Sequence, residues 1–349
     1  MFESFGFETL TAPQAAVLFG LAIGVLFGAL AQITRFCLRR ALVIGEDRRV
    51  AAGVWLMALA VAVLGTQAAV AIGWISFADH RFMAADLPVL AIVAGGLLFG
   101  AGMVLTRGCV SRLTVLTGSG NLRALLVLLV FAATAHATLK GILAPVRTTL
   151  GSFTLPLDSA ALPGHPLIWA GLIALAALAF ALRSGNRFGA LALAAGIGLL
   201  VPLAWVGTGF VLFDDFDPIA MESLSFTSPA SEALFYTLAS TAISPGFGSA
   251  LIAGVVLGAL ATALTRGQFA WQSFESPRQT GRYMGGAVLM GIGGVLAGGC
   301  TVGAGLSGVP TLSFAAILAL GAIAAGAMAT DRALRPAALS GSRAAIPAE

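Results

Sequence analysis

Residues 95–109 read GGLLFGAGMVLTRGC, and residues 286–300 read GAVLMGIGGVLAGGC. Aligned without a gap, the two stretches share the pattern GxxLxGxGxxLxxGC. A shorter echo links GVLFGALA at 24–31 with GVVLGALA at 254–261. Glycine at such regular spacing allows close packing of membrane helices. The pattern predicts a membrane bundle with an internal repeat, whose halves cover about 15–143 and 247–330.

The composition supports a membrane protein. The chain has 349 residues, of which 58% are hydrophobic and 10% charged. A soluble domain carries roughly 25% charged residues, so this chain cannot cover a water-facing surface. Its net charge of +4 does not indicate a nucleic-acid partner, because the basic residues are nearly all Arg in short loops. We therefore expect an all-α polytopic protein in a lipid bilayer, with residues 1–349 forming a single integral membrane domain.

The long apolar runs predict about nine membrane-spanning helices. The predicted spans are Ala15–Thr34, Val50–Ile75, Leu87–Thr106, Leu122–Leu143, Leu167–Leu182, Phe188–Val206, Ser249–Thr265, Tyr283–Ala297 and Ser313–Thr330. The seventh and eighth are short for a hydrocarbon core of about 30 Å. Short, glycine-interrupted spans in matching positions are typical of transporter binding sites.

The distribution of basic residues predicts the orientation. If the amino terminus lies outside, sixteen of the nineteen basic residues are cytoplasmic, and only Arg81, Lys140 and Arg147 are external. The start MFESFGFETL has no basic residue, so we do not expect a cleaved signal peptide. The expected location is a bacterial inner membrane, with residues 331–349 as a short cytoplasmic tail. The acidic run Asp214, Asp215, Asp217 and Glu222 then lies in an external loop.

Two half-apolar segments, 108–121 and 299–312, are too short to cross a bilayer. Irregular backbone at membrane depth is tolerated where it is buried or lines a cavity, so both are predicted to be re-entrant half-helices. On the nine-span path, the helices before Cys109 and Cys300 run in opposite directions. This predicts a pseudo-two-fold inverted repeat with a site near the midplane.

The chain has three cysteines, Cys37, Cys109 and Cys300, and no CxxC motif. Gly108 and Gly299 allow a turn before the last two, which places each thiol near a helix amino terminus that favours anions. Thr301 belongs to the second of these hairpins. A thiol is a soft partner for the sulfur of thiosulfate or a persulfide. Alternatively, each cysteine is only a small buried hydrophobic residue.

Arginines are the candidate anion-attracting residues. Arg107 and Arg112 flank Cys109, Arg35 precedes Cys37, and Arg266 follows the second echo. All four could equally serve only to set the topology. The three histidines have no metal-ligand spacing and the chain has no phosphate loop, so we expect no metal, cofactor or ATP site.

GMVLTRGC ending at Cys109, GGCTVGAGLSG around Cys300, and Arg35-Phe36-Cys37 resemble the signature motifs of the YeeE/YedE family of membrane sulfur transporters. The resemblance covers residues 15 to 330 approximately. It implies a helical bundle of hourglass shape and thiosulfate uptake, with Cys37, Cys109 and Cys300 handling the ion in succession. Family members often work with a small cytoplasmic sulfur-carrier protein, which is an expected partner here.

The leading hypothesis is therefore a thiosulfate importer that passes the anion between Cys300, Cys109 and Cys37. One alternative is transport of another sulfur or selenium species. Another is a membrane thiol oxidoreductase or sulfurtransferase, although no resolving cysteine pair is evident. A purely structural membrane subunit is the last alternative.

Overall fold

The computed structural model describes residues 10–157, 159–214 and 216–343, with side chains up to Arg335. Residues 1–9 of the predicted external terminus, Asp215 of the acidic run and residues 344–349 of the predicted tail lie outside the described residues.

The described part folds almost entirely into helices. The α-helices are α1 (Ala12–Thr34), α2 (Leu38–Leu42), α3 (Arg48–Ala71), α4 (Val89–Leu105), α5 (Val110–Gly118), α6 (Leu122–Lys140), α7 (Ala144–Gly151), α8 (Pro166–Leu182), α9 (Phe188–Val206), α10 (Thr227–Leu238), α11 (Phe247–Thr265), α12 (Pro277–Leu296) and α13 (Phe314–Arg343). Gly207–Val211 and Thr301–Gly308 are π-helical, and Arg81–Met83 and Val309–Thr311 are 3₁₀ turns. The strands β1 (Asp86–Leu87) and β2 (Leu155–Pro156) pair antiparallel.

The all-α membrane fold is confirmed. Among the described residues, eight helical stretches are long and apolar enough to cross a membrane, and α8 is an apolar helix of 17 residues. Together they coincide with the nine predicted spans. At a rise of 1.5 Å per residue, α8 is about 26 Å long, which is slightly less than the thickness of a bilayer core.

Helix directions indicate that α8 crosses as well. A Cβ added at Gly20 would meet the Phe247 carbonyl, and one at Gly28 would meet the Val255 carbonyl, so α1 and α11 run parallel. Consecutive spans alternate in direction. If α8 is counted as a crossing, α1 is the first span and α11 is the seventh, so the two helices must run in the same direction, as they do. If α8 did not cross, α11 would be the sixth span and would run antiparallel to α1.

The prediction that the seventh and eighth spans are short is wrong. Helix α11 has 19 residues and α12 has 20. Helix α12 begins at Pro277, because the Ser276 side chain caps it by accepting from the Gln279 N–H. Its polar first turn resembles a loop in the sequence. The sequence also gave no indication of α10, whose 12 residues include Glu and Ser and bury only Thr227, Pro229, Ala230 and Ser231.

Helices α4 and α12, which end at the two Gly-Cys pairs, pack against each other in opposite directions. Gly95 lies against Gly293 and Leu296, whereas Gly102 lies against Gly286. This direction agrees with an inverted repeat for that pair. The echo helices α1 and α11 run parallel and do not have the inverted relation, so the inverted repeat of whole halves stays a prediction.

Candidate functional site

The same turn precedes each cysteine. Helices α1, α4 and α12 are followed by a left-handed residue, namely Arg35 (φ 53°), Arg107 (φ 59°) and Gly298 (φ 72°). Two residues later, Cys37, Cys109 and Cys300 are the N-caps of α2, α5 and the π-helical segment. A left-handed residue lets a helix end and the chain turn sharply. RFC, RGC and GGC therefore share one backbone turn despite their different sequences.

The predicted glycines do not have equal roles in these turns. The left-handed residue is Arg107, one position before Gly108, and a Cβ at Gly108 would make only ordinary contacts with Leu113. A Cβ at Gly299 would instead collide with the Ala304 N–H. Gly299 is therefore required by space, whereas Gly108 is not.

The structure brings the three thiols into one buried group. Cys37, Cys109 and Cys300 are free and only 4%, 1% and 0% exposed. The Cys37 and Cys109 side chains lie close to each other. The Cys109 sulfur also lies 3.2 Å from the Ser111 hydroxyl and close to that of Thr301. Because Thr301 directly follows Cys300 in the chain, it joins Cys300 to the pair of Cys109 and Cys37.

Cys300 lies at the other end of this group. Its sulfur accepts from the Gly303 N–H at 3.3 Å. The Thr227 side chain lies beside it, and the hydroxyl of Thr227 is buried without a hydrogen-bond partner among the described residues. An unsatisfied buried hydroxyl next to a thiol is available to a polar ligand.

The half-helices that follow the cysteines end at different loops. The segment after Cys109 ends at Asn121, which pairs with Gln272 in the loop after α11. The segment after Cys300 ends at Ser313, which pairs with Ala161 in the loop before α8. On the nine-span path, these two loops lie on opposite faces of the membrane. The cysteine group thus lies between the two faces.

Arg112 is the predicted arginine that reaches the cysteines with its side chain. Its Nη1 donates to the Ala31 carbonyl at 3.4 Å, and its charge acts on Cys37 and Cys109. Arg39, which sequence reasoning did not select, also lies near Cys37 and has a buried Nε without a hydrogen-bond partner among the described residues. Positive charge therefore surrounds the Cys37 end of the group.

The other predicted arginines have different positions. Arg35 and Arg107 form the turns with their backbone, and their side chains are exposed. Arg266 is exposed at the end of α11, and none of the contacts described for it involves a cysteine. The structure therefore does not bring Arg266 to the site.

A cavity of about 480 Å³ lies on the Cys300 side. Gly303 and Ser307 of the π-helical segment line it, together with Arg81, Glu222 and Ser225. Arg81 also lines a smaller cavity beside Gly298 and Gly299. Sequence reasoning missed Arg81, yet a signal was present, because it is one of the few basic residues that fall outside in the predicted topology.

In the part of the chain that the structure describes, eight helices long and apolar enough to span a membrane and the shorter α8 enclose the buried thiols, which is the architecture of a multi-pass membrane protein. The chain belongs to the sulphur transport family, whose model matches residues 33–329. It is 28% identical to the Thiosulfate transporter TsuA of Spirochaeta thermophila, over 86% of this chain and 93% of that protein. It is 25% identical to the Thiosulfate transporter TsuA of Escherichia coli, over 83% of this chain and 86% of that protein.

Proposed function

We propose that this chain imports thiosulfate and that Cys300, Cys109 and Cys37 hold the ion in succession. The relatives named as thiosulfate transporters support the choice of ion. The observation that carries the mechanism is the buried contact series from Cys300 through Thr301 to Cys109 and Cys37.

The chemistry of the series suits a sulfur oxyanion. Hydroxyls and backbone N–H groups near Cys300 can donate to the oxygens of the ion, and the thiols are weak donors to its soft terminal sulfur. Weak contacts at successive positions let an ion leave as easily as it enters. Arg39 and Arg112 then attract the anion toward Cys37.

Transport requires motion, because the three thiols are almost completely buried. We expect the half-helices after Cys109 and Cys300 to move, because a turn separates the first from α4 and the second from α12. Helix breaks of this kind occur at the binding sites of many transporters.

The test is growth on thiosulfate as sole sulfur source, in a host without other thiosulfate importers. We expect growth with the wild type and loss of growth with Cys109→Ala and Cys300→Ala at normal membrane levels. Ser119→Ala, a change of similar size at the end of the α5 half-helix, is the matched control and should grow. Growth of Cys37→Ala, Cys109→Ala and Cys300→Ala alike would leave an importer without a cysteine mechanism.

A second candidate substrate is another sulfur or selenium oxyanion, since thiols interact with soft selenium as they do with sulfur. Competition decides between the two. If an excess of unlabelled thiosulfate fails to reduce uptake of a labelled selenium oxyanion, and that oxyanion is taken up faster, thiosulfate is not the main substrate.

We also propose the inner-membrane orientation with the amino terminus outside, and delivery of sulfur to a small cytoplasmic carrier protein. Exposed arginines such as Arg35 and Arg107 at the Cys37 end support a negatively charged partner there. Cysteine labelling from each side of the membrane, at a residue introduced at exposed Gly73 or Gly267, tests the orientation.

A further inference from the structure

The cavity near Cys300 contains an unusual set of charged groups. Its lining includes the carboxylates Asp79, Glu222 and Glu232, the imidazole of His80 and the guanidinium of Arg81. Arg81 is the one Lys or Arg in this lining. An anion that enters must therefore be attracted by Arg81 against the repulsion of nearby carboxylates.

Arg81 is available to a ligand. Within residues 10–157, 159–214 and 216–343, its side chain makes no hydrogen bond and no ion pair, and it lies over the Phe82 ring at 5.1 Å. Its position borders both the large cavity and the small one beside Gly298 and Gly299. A guanidinium presents paired N–H donors that match the oxygens of an oxyanion.

Glu222 is held near Arg81 by its backbone. The Glu222 N–H donates to the Thr208 hydroxyl at 2.9 Å, and that hydroxyl lies 2.7 Å from the Glu222 carbonyl. Burial, together with the neighbouring charge of Glu232, raises the pKa of Glu222 to about 7, while Arg81 acts in the opposite direction. Glu222 therefore exchanges a proton in the neutral range.

His80 does not add a second titration in that range. Burial, together with the charge of Arg81, lowers the pKa of His80 to about 4. Its imidazole is neutral between pH 6 and 8, and Nδ1 accepts from the Phe82 N–H at 3.3 Å. Cys300 lies close enough to Arg81 for an ionised thiolate to act on it.

We propose that Arg81 captures the anion in this cavity and that Glu222 opens the site by taking up a proton. The proposal rests on the proposed import of thiosulfate. When Glu222 is ionised, it attracts Arg81 and repels a dianion. When Glu222 is protonated, it does neither, and Arg81 is free to bind the anion. The anion can then move from Arg81 to Thr227 and Cys300.

The test is the initial rate of thiosulfate uptake into proteoliposomes with the same pH on both sides, which removes any proton gradient. For a pKa of about 7, the protonated fraction of Glu222 falls about tenfold between pH 6 and 8, and we expect the wild-type rate to follow it. Glu222→Gln should transport at the pH 6 rate throughout this range. Asp86→Asn, a carboxylate change elsewhere on the same face, should retain the wild-type pH profile.

Two further variants separate binding from structure. Arg81→Gln should lose uptake at both pH values, whereas Arg81→Lys should retain part of it. Glu232→Gln removes a charge that raises the pKa of Glu222, so the midpoint of the profile should move to lower pH. A merely structural role for Glu232 would not shift that midpoint.

The proposal is overturned if wild-type uptake is independent of pH, or if Glu222→Gln keeps the wild-type profile. Should Glu222→Gln fail to fold in detergent, the midpoint shift of Glu232→Gln decides instead. Absence of wild-type uptake at pH 6 contradicts the proposed function. Stabilisation of the purified protein by thiosulfate at pH 6 but not at pH 8, lost in Arg81→Gln, would then still support the anion site.

Discussion

The Thr301 hydroxyl lies close to the Cys109 thiol, and both side chains are 1% exposed. Thr301 follows Cys300 directly, so one contact connects the breaks of two helices that are distant in sequence. The connection joins Cys300 to Cys109 and Cys37 in one series.

Replacing Thr301 with Val should reduce thiosulfate uptake about tenfold while the protein still folds. Val has the shape of Thr but lacks the hydroxyl, and a lost hydrogen bond costs about 1.4 kcal/mol, or a factor of ten. Uptake by purified protein in liposomes measures the effect. Thr134→Val, which removes a hydroxyl bonded to the Val130 carbonyl within α6, is the control. Equal uptake by both variants would contradict a role for Thr301.

Oxidation should link Cys37 to Cys109 and stop transport. Their thiols lie close together, and a diazene oxidant such as diamide accepts the two electrons and two protons that leave as the S–S bond forms. Mass spectrometry should find a peptide pair joined at Cys37 and Cys109, and a reductant should restore uptake. Cys300→Ser should still form the link, whereas Cys109→Ser should not. A link that contains Cys300 instead would contradict the observed arrangement.

Replacing Gly293 with Val should destabilise the bundle. A Cβ at Gly293 would collide with the Phe99 N–H and the Gly95 carbonyl across the α4–α12 contact. Overpacking of this kind costs about 1–3 kcal/mol. Gly285→Val, in the same helix but with no atom near the added Cβ, is the matched control. The measurement is the thermal unfolding midpoint in detergent, and equal midpoints would show that the helices can separate without cost.

Arg107→Gly distinguishes a turn residue from an anion-attracting one. A left-handed conformation costs a non-glycine residue roughly 1–2 kcal/mol, so glycine at φ 59° should stabilise the protein. If the exposed side chain only sets topology, uptake should stay at the wild-type level, which is the expected result. The reciprocal change, Gly298→Ala at φ 72°, should destabilise the protein by a similar amount. Lost uptake in a stabilised Arg107→Gly would assign the charge to transport.

The spans were predictable because each one is a continuous apolar run. Helix α9, for instance, spans the predicted residues Phe188–Val206. Helix ends with polar first turns were not predictable, since Arg278 and Gln279 in the first turn of α12 resemble a loop. Helix α10 was missed for the same reason, because its buried face contains Thr, Pro, Ala and Ser rather than large apolar residues.

The candidate site was only partly predictable. The three cysteines stand out because they are few, and two of them end the same glycine pattern. The roles of the arginines could not be separated by sequence, since Arg35, Arg107, Arg112 and Arg266 all follow or flank similar motifs. Arg112 reaches Cys37 and Cys109 because α5 packs against the end of α1, while Arg266 remains exposed.

By itself, the sequence determined that this is a helical membrane protein, where its helices cross and which cysteines end the repeated motif. Those properties depend on local composition, since a long apolar run favours lipid and must form a helix there to satisfy its backbone hydrogen bonds. Tertiary structure decided that Cys37 lies beside Cys109, that Thr301 lies beside Cys109 and that Arg81 lines a cavity with Glu222. These relations join segments that are far apart in the chain, and only the packing of glycine-lined helices brings them together.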